Sequence, residues 1–263
     1  YDHLHQRIRA VDDKTIIFFE PLVSTSYETV VPGLGRVDFP PGGPGGMDYA
    51  NRSVLSYHSY CANDAAGAPA PMGLCRTMID RAWDGVRDDL KRVKTGGMLT
   101  EFGACGDDPA SVELLRRQTE GADEQLQGWI YWTFKHFGDI TTQNVATETF
   151  YDTTGRLQEN KVRALARTYA QIVAGRPTDV LFNATTAVFH LQYASYEAIG
   201  GNTTIFLSKE HYYPSGYQIS IDPPTAAWSV LVDEAAYAVL AISHDRAAMN
   251  DGDPVSVAIG PAA

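Results

Sequence analysis

Residues 98–104 read Met-Leu-Thr-Glu-Phe-Gly-Ala, a short apolar run that ends on the carboxylate of Glu101. Such a run is typical of a buried strand, and the catalytic groups of a β/α barrel lie where the strands end. A carboxylate that a rigid strand holds at this edge, followed by Phe102 and Gly103, is a candidate nucleophile. The same pattern also fits a strand-end glutamate in an ordinary surface salt bridge.

Three further runs share this character of an apolar strand with polar or aromatic residues at its end. They are Thr-Ile-Ile-Phe-Phe-Glu-Pro at 15–21, Ser-Val-Leu-Ser-Tyr-His-Ser-Tyr at 53–60 and Gly-Trp-Ile-Tyr-Trp-Thr-Phe-Lys at 128–135. Amphipathic spacing between and after them predicts helices over 76–93, from Pro109 onward and over about 156–174. Strands that alternate with helices indicate parallel βαβ units.

The character of the sequence changes after Pro177. Alternating runs and other strand-like runs are separated by Pro, Gly, Asn and Asp, and they occupy 189–193, 203–207, 217–221, 228–232, 237–242 and 255–259. This pattern predicts an antiparallel sandwich. The sequence therefore predicts an α/β domain over 1–176 and an all-β domain over 177–263, with the boundary near 175–178.

A long loop is predicted between the first two strands, at about 24–52. It contains Pro-Pro-Gly-Gly-Pro-Gly-Gly at 40–46, which cannot form a regular ladder and is expected to be mobile. Loops of this length in a compact domain are usually functional or disordered.

Composition excludes several classes of protein. The chain has 263 residues and a net charge of −11, and phosphate backbones repel an acidic chain, so nucleic acid is not an expected partner. No apolar run approaches the roughly 20 residues that cross a bilayer, and the chain begins at Tyr1 within a helical pattern rather than a signal peptide. The histidines and cysteines have no metal-ligand spacing, so neither a metal nor an organic cofactor is expected.

Sequons and cysteines favour an oxidising compartment. Three sequons begin at Asn51, Asn183 and Asn202, which favours a secreted or lysosomal glycoprotein. Cys61 and Cys75 bracket a loop rich in Ala, Gly and Pro and are expected to form a disulfide, with two buried thiols as the alternative. Cys105 is then either a buried free thiol or bonded to polypeptide outside this chain.

Taken in order, the strand ends resemble those of a known enzyme family. Glu20-Pro21, His58-Ser59-Tyr60, Thr100-Glu101-Phe102-Gly103 and Trp132 are similar to the fifth to eighth strand ends of glycoside hydrolase family 5. Residues 18–21, 55–61 and 99–103 resemble its endoglycoceramidase branch more than its cellulases, and 204–207 followed by 211–214 agree with that. The resemblance implies the second half of a TIM (β/α)8 barrel followed by an all-β sandwich domain.

The resemblance also implies roles for individual residues. Glu101 matches the nucleophile of a retaining β-glycosidase, and His58 and Tyr60 match the pair beside it. Tyr60 can donate a hydrogen bond that orients Glu101; the alternative is that the two aromatic residues only pack at a strand end. Trp132 matches the indole on which the scissile sugar stacks, with barrel core as the alternative, and Lys135 is a candidate contact to a sugar hydroxyl.

One part of the family pattern is missing. The acid/base of the family lies in an Asn-Glu-Pro sequence at the fourth strand end, and this chain contains no such sequence. Glu20 matches the fifth strand end instead, so we assign it to binding or support, with proton donation as the lesser alternative. The acid/base is therefore expected on an N-terminal barrel half that completes the enzyme.

These implications lead to an expected substrate and its alternatives. The main expectation is hydrolysis of the glycan–ceramide linkage of glycosphingolipids. Phe18, Phe19 and the segment after Pro21 are expected to form one wall of a lipid groove, and the sandwich is expected to contact a membrane surface. The alternatives are a β-glucosidase acting on glucosylceramide or steryl glucoside, an endoglucanase, and a non-catalytic half-barrel that binds carbohydrate or lipid.

Overall fold

The computed structural model describes residues 1–21, 38–61, 71–245 and 249–262. They form two compact units, Tyr1–Lys161 and Val162–Ala263. Most of the segment after Pro21 that was expected to line a lipid groove, and the interior of the Cys61–Cys75 loop, lie outside the described residues. Among the described residues, no helix is both long and apolar enough to cross a membrane.

The first unit contains one parallel sheet with helices between its strands. Its elements are α1 (Asp2–Arg9), β1 (Ile17–Phe19), a 3-10 helix (Met47–Arg52), β2 (Ser53–Tyr60), α2 (Met72–Val93), β3 (Gly96–Gly103), α3 (Pro109–Glu124), β4 (Trp129–Trp132), a 3-10 turn (Ile140–Thr142), α4 (Val145–Glu148) and the start of α5 (Glu159–Leu165). The strand order is β1-β2-β3-β4, and each neighbouring pair is parallel. The predicted βαβ order is confirmed, and α3 begins at Pro109, where the Asp108 carboxylate caps the backbone N–H groups of Ala110 and Ser111.

The two faces of this sheet differ in burial. Phe19, Leu55, Leu99 and Phe102 are fully buried, as expected for the face on which α2 and α3 pack. Strand alternation places Phe18 on the opposite face, where it is 49% exposed. Phe18 and Phe19 therefore point to opposite faces, and the expectation that both line one groove is wrong.

The Pro- and Gly-rich run at 40–46 is packed rather than loose. Gly42, Gly43 and Pro44 are buried, and the Gly42 N–H donates to the carbonyl of Val93 at 2.6 Å. A Cβ on Gly43 would come within 2.7 Å of the Phe19 ring, so only glycine allows this close approach. These residues therefore differ from the mobile loop that was expected, because Gly42 is hydrogen-bonded to Val93 and Gly43 packs against Phe19 of β1.

The second unit contains two antiparallel sheets. Its strands are β5 (Tyr169–Ile172), β6 (Arg176–Asn183), β7 (Val188–Ala194), β8 (Thr203–Ser208), β9 (Tyr217–Asp222), β10 (Ala227–Asp233), β11 (Tyr237–Ser243) and β12 (Pro254–Pro261), with the short α6 (Lys209–Tyr212) after β8. One sheet has the order β10-β11-β8-β5 and the other β6-β7-β12-β9. Both sheets contribute to one buried apolar cluster, which includes Leu191, Val257, Ile205 and Leu240.

The helix predicted over about 156–174 is confirmed in its first half and wrong in its second half. Helix α5 ends at Leu165, and residues 169–172 form β5, which pairs with β8. The ring centroids of Tyr169 and Phe206 lie 5.3 Å apart across this pair, so cross-strand pairing outweighs the helical spacing of the apolar residues. The chain divides into its two compact units between Lys161 and Val162, and the domain boundary near 175–178 stays a prediction.

The cysteine expectations can be compared with the structure directly. Cys61 and Cys75 form a disulfide, as expected. Cys105 is a buried free thiol, and burial raises its pKa to about 12. Its thiol is close to the carbonyl of Gly103, at 3.2 Å, just beyond the end of β3.

Candidate active site

An irregularity in β3 decides where Glu101 points. Tyr57 and His58 of β2 pair with Leu99 and Glu101, so β3 has one extra residue between two consecutive pairs. The pairing with β4 contains the same extra residue, because Leu99 and Phe102 oppose Trp129 and Tyr131. Regular alternation would place Glu101 with Leu99 on the face of the sheet against which α2 and α3 pack. The bulge turns Glu101 to the opposite face, where Phe18 also lies and which we call the open face.

Thr100 stabilises this bulge. Its hydroxyl donates to the carbonyl of Tyr57 at 3.2 Å and lies 2.6 Å from the hydroxyl of Ser56. A bulge interrupts the regular ladder, and a side-chain hydroxyl can satisfy a carbonyl that the ladder no longer pairs.

The open face brings four of the predicted site residues together. Tyr60 donates its hydroxyl proton to Glu101 Oε2 at 3.0 Å, and His58 Nδ1 lies 3.3 Å from the same oxygen. His58 Nε2 lies 3.0 Å from Glu20 Oε1. One imidazole therefore connects two carboxylates, and a neutral imidazole can donate to only one of them at a time.

Glu101 keeps one oxygen available for chemistry. Its recorded contacts within the described part of the chain all reach Oε2, and its side chain is 28% exposed. The two neighbours thus orient the carboxylate through Oε2 and leave Oε1 without a contact among the described residues. A carboxylate held in this way can act as a nucleophile or as an acceptor of a proton.

Glu20 is itself held by Tyr1, the residue that precedes α1. The Tyr1 hydroxyl donates to the Glu20 carbonyl at 2.7 Å and accepts from the Glu20 N–H at 3.2 Å. The imidazole of His58 contacts both carboxylates and so separates Glu20 from Glu101. This arrangement fits the assignment of Glu20 to support.

Trp132 lies at the end of β4, beside the end of β3. It pairs with Gly103, and its indole Nε1 donates to the carbonyl of Thr141 at 3.2 Å. The peptide bond between Trp132 and Thr133 is cis. Trp132 is partly exposed, so it is available to a ligand, and its stacking role stays a prediction.

The remaining predicted residues lie on exposed surfaces. Lys135 is exposed, and its Nζ lies 5.5 Å from the centre of the Phe137 ring, so its contact to a sugar stays a prediction. Asn51, Asn183 and Asn202 are all exposed, which is compatible with glycosylation. Among the described residues, no group of three or more His, Cys, Asp or Glu side chains is arranged to hold a metal ion.

Lys161, which no sequence signal singled out, is fully buried near the ends of β3 and β4. Its Nζ donates to the carbonyls of Thr149, Thr147 and Ala146 at 2.7, 3.2 and 3.4 Å. Burial lowers the pKa of this ammonium group from 10.5 to about 8. A lysine on a predicted amphipathic helix is normally assumed to be exposed, so its sequence carried no signal of this role.

Comparison with known proteins connects the two units with one family. Residues 167–259 match the Glycoside hydrolase family 5 C-terminal domain. The chain is 30% identical over 226 residues to an endoglycoceramidase of Cyanea nozakii and 34% identical over 227 residues to one of Hydra vulgaris. Each match covers 85% of this chain but only 41% and 38% of the relatives, so the chain spans less than half of their length.

Solved structures share the fold at low sequence identity. Endo-glycoceramidase II from Rhodococcus sp. superposes with a TM-score of 0.70 and 21% identity, over 100% of this chain and 54% of that chain. Sterylglucosidase 1 of Cryptococcus neoformans superposes with a TM-score of 0.64 and 12% identity, over 97% of this chain and 43% of that chain. At these identities the likeness is one of fold.

The buried lysine generates a pH prediction for stability. The folded pKa of Lys161 is about 8, below the 10.5 of an unfolded lysine, so between these values the unfolded chain binds more protons. Stability conferred by the neutral amine therefore rises with pH from about 8 and is lost as pH falls through 8. The difference in unfolding free energy between the wild type and Lys161→Met should therefore shift by roughly 3 kcal/mol in favour of the wild type between pH 7 and pH 10.5.

Urea unfolding at pH 7, 8.5 and 10.5 measures this difference. Cys105, whose raised pKa acts in the opposite direction, is present in both proteins. A pH-independent difference between wild type and variant would contradict the shifted pKa.

Proposed function

The chain belongs to the endoglycoceramidase branch of glycoside hydrolase family 5, and from this premise we propose that it carries the nucleophile of a retaining glycosidase acting on the glycan–ceramide linkage of glycosphingolipids. One observation carries the proposal. Glu101 is turned to the open face with Oε2 bonded to Tyr60 and His58, which leaves Oε1 for attack. The names of the relatives and of a solved ganglioside GM3 complex of the Rhodococcus enzyme support the substrate class.

The proposed mechanism has two displacements. Glu101 Oε1 attacks the anomeric carbon of the first sugar while an acid protonates the glycosidic oxygen, and ceramide leaves as its alcohol. Water, deprotonated by the same group, then attacks the anomeric carbon and releases Glu101 and the glycan with net retention. The hydrogen bond from Tyr60 keeps the carboxylate oriented in both steps, and in this proposal the Trp132 indole stacks against the sugar.

Glu20 does not supply the acid in this proposal. Retaining glycosidases place their two carboxyl groups about 5–5.5 Å apart, with the sugar between them. Here the His58 ring occupies the space between Glu20 and Glu101. The acid/base therefore comes from polypeptide outside this chain.

We infer that this polypeptide is the first half of the barrel. The two edge strands of the four-stranded sheet each carry an exposed apolar side chain. Phe18 lies on β1 and Ile130, which is 51% exposed, lies on β4. Uncovered apolar side chains and unpaired strand edges are normally covered by further structure. The curated relatives are more than twice as long as their matches, which supports a completed (β/α)8 barrel followed by a β-sandwich.

A second candidate activity is exo-cleavage of a single glucose from glucosylceramide or a steryl glucoside. A solved sterylglucosidase with the same fold is the ground for naming this candidate. The ordered set of Glu101, His58 and Tyr60 speaks against a non-catalytic binding half-barrel, because binding alone needs no such alignment.

The cellular setting is part of the proposal. A disulfide and three exposed sequons support secretion or a lysosomal location. Contact of the all-β domain with a membrane surface remains proposed on the ground that the substrate is a membrane lipid.

A 2-fluoroglycoside inactivator tests the nucleophile. In the assembled enzyme it should attach covalently to Glu101, because the fluorine slows breakdown of the glycosyl-enzyme. Peptide mass spectrometry locates the label. Glu101→Gln should show no label and at least a thousandfold lower kcat, whereas the surface control Glu124→Gln should react like the wild type. Attachment to Glu20 would contradict the assignment.

Ganglioside GM3 separates endo from exo action. The proposal expects release of the intact oligosaccharide and ceramide, detected by chromatography and mass spectrometry. If the enzyme leaves GM3 intact and releases only glucose from glucosylceramide or steryl glucoside, the second candidate holds instead.

The half-barrel inference has its own test. Intact mass and N-terminal sequencing of the native, active material should reveal polypeptide preceding or accompanying these 263 residues. Full glycosidase activity from the 263-residue species alone would refute the external acid/base.

A further inference from the structure

We propose that Lys161 is a positioning residue of this site: its ammonium group fixes residues 145–149, and this segment holds the ends of β3 and β4 that carry Glu101 and Trp132. The inference rests on the proposed glycosidase function. It concerns a residue that lies behind the sheet ends and touches neither the substrate nor the catalytic carboxylate.

The first step is the match between the ammonium and its acceptors. An ammonium group has three N–H donors, and Nζ is within reach of the carbonyls of Ala146, Thr147 and Thr149. All three carbonyls belong to α4 and its C-terminal end. A cation there also interacts favourably with the carbonyl dipoles that the helix end leaves exposed.

The second step is the set of bonds that this segment makes to the strand ends. The carbonyl of Thr147 also accepts from the Cys105 N–H at 3.0 Å, two residues beyond β3. The carbonyl of Glu148 accepts from the Thr133 N–H at 2.7 Å, directly after Trp132. The segment is thus hydrogen-bonded to the residues that follow both strands, and Lys161 Nζ in turn is hydrogen-bonded to the segment.

The third step is the cost of the charge. Taking an ammonium group out of water costs several kcal/mol unless it is well compensated. No carboxylate pairs with Nζ in the described contacts; Asp107 instead accepts from the Lys161 backbone N–H at 2.7 Å. The other groups around Nζ are the neutral Cys105 thiol and the Tyr131 ring, 6.0 Å away. An apolar residue would fill the same space without this cost. What the lysine provides in addition is a set of directed hydrogen bonds to the segment.

Three variants separate positioning from mere packing. Lys161→Met keeps the length and removes charge and donors. Lys161→Arg keeps a cation and donors. Lys91→Met, at an exposed position in the last turn of α2, is the matched control. If Lys161→Met does not fold, Lys161→Gln retains two donors and makes the same comparison with less disruption.

Amide hydrogen exchange is the readout that does not depend on activity. In Lys161→Met the amides of Cys105 and Thr133 should exchange at least tenfold faster, because their acceptors are on the released segment. Lys161→Arg should restore most of the protection, and Lys91→Met should leave it unchanged. Unaltered exchange at both amides in Lys161→Met would overturn the proposal.

Kinetics of the assembled enzyme supply the second readout. We expect kcat of Lys161→Met to fall about 10- to 100-fold with a smaller change in KM, because small misplacements of reacting groups are costly in the transition state. Lys161→Arg should recover kcat to within about threefold. A lower melting temperature with an unchanged kcat would reduce Lys161 to a structural role. If the wild type is inactive but exchange is faster in Lys161→Met, the glycosidase function is refuted while the positioning of residues 145–149 by Lys161 is supported.

Discussion

The extra residue in β3 is the constraint on which the site depends. Leu99 and Phe102 both lie under the helices, and an odd spacing between two buried residues is possible in a strand only with a bulge between them. That bulge places Thr100 and Glu101 together on the open face. Without it, the Glu101 carboxylate would lie among apolar side chains, where burying a charge is expensive.

Once Glu101 is on the open face, its neighbours define what it can do. Tyr60 and His58 stand two residues apart on β2 and therefore share a face, so both reach Glu101 Oε2. His58 also contacts Glu20, the residue directly after β1, so these side chains connect β2 with β3 and with the end of β1. Because His58, Tyr60 and Glu101 lie on strands instead of loops, the carboxylate of Glu101 is preorganised before a substrate arrives.

Much of this arrangement could be predicted from the sequence because strand ends are a strong signal. Apolar runs that end in Glu20, in His58 and Tyr60, and in Glu101 indicated both the parallel sheet and the residues at its edge. The bulge could not be predicted, since alternation alone places Glu101 with Leu99. The helix expected over about 156–174 ends early, at Leu165, because Tyr169 to Ile172 pair with a strand that is distant in sequence. Lys161 was missed because its burial depends on carbonyl groups that come together only in the fold.

The central claim is that Glu101 attacks the sugar while an acid on another polypeptide segment faces it across the open side. A crystal structure of the assembled, active enzyme tests this most directly through the distance between two carboxyl groups. The account predicts a second Asp or Glu carboxyl about 5–5.5 Å from that of Glu101, contributed by residues outside this chain. A Glu101 side chain turned to the helix-covered face, or no carboxyl group opposite it on any polypeptide present, would contradict the account.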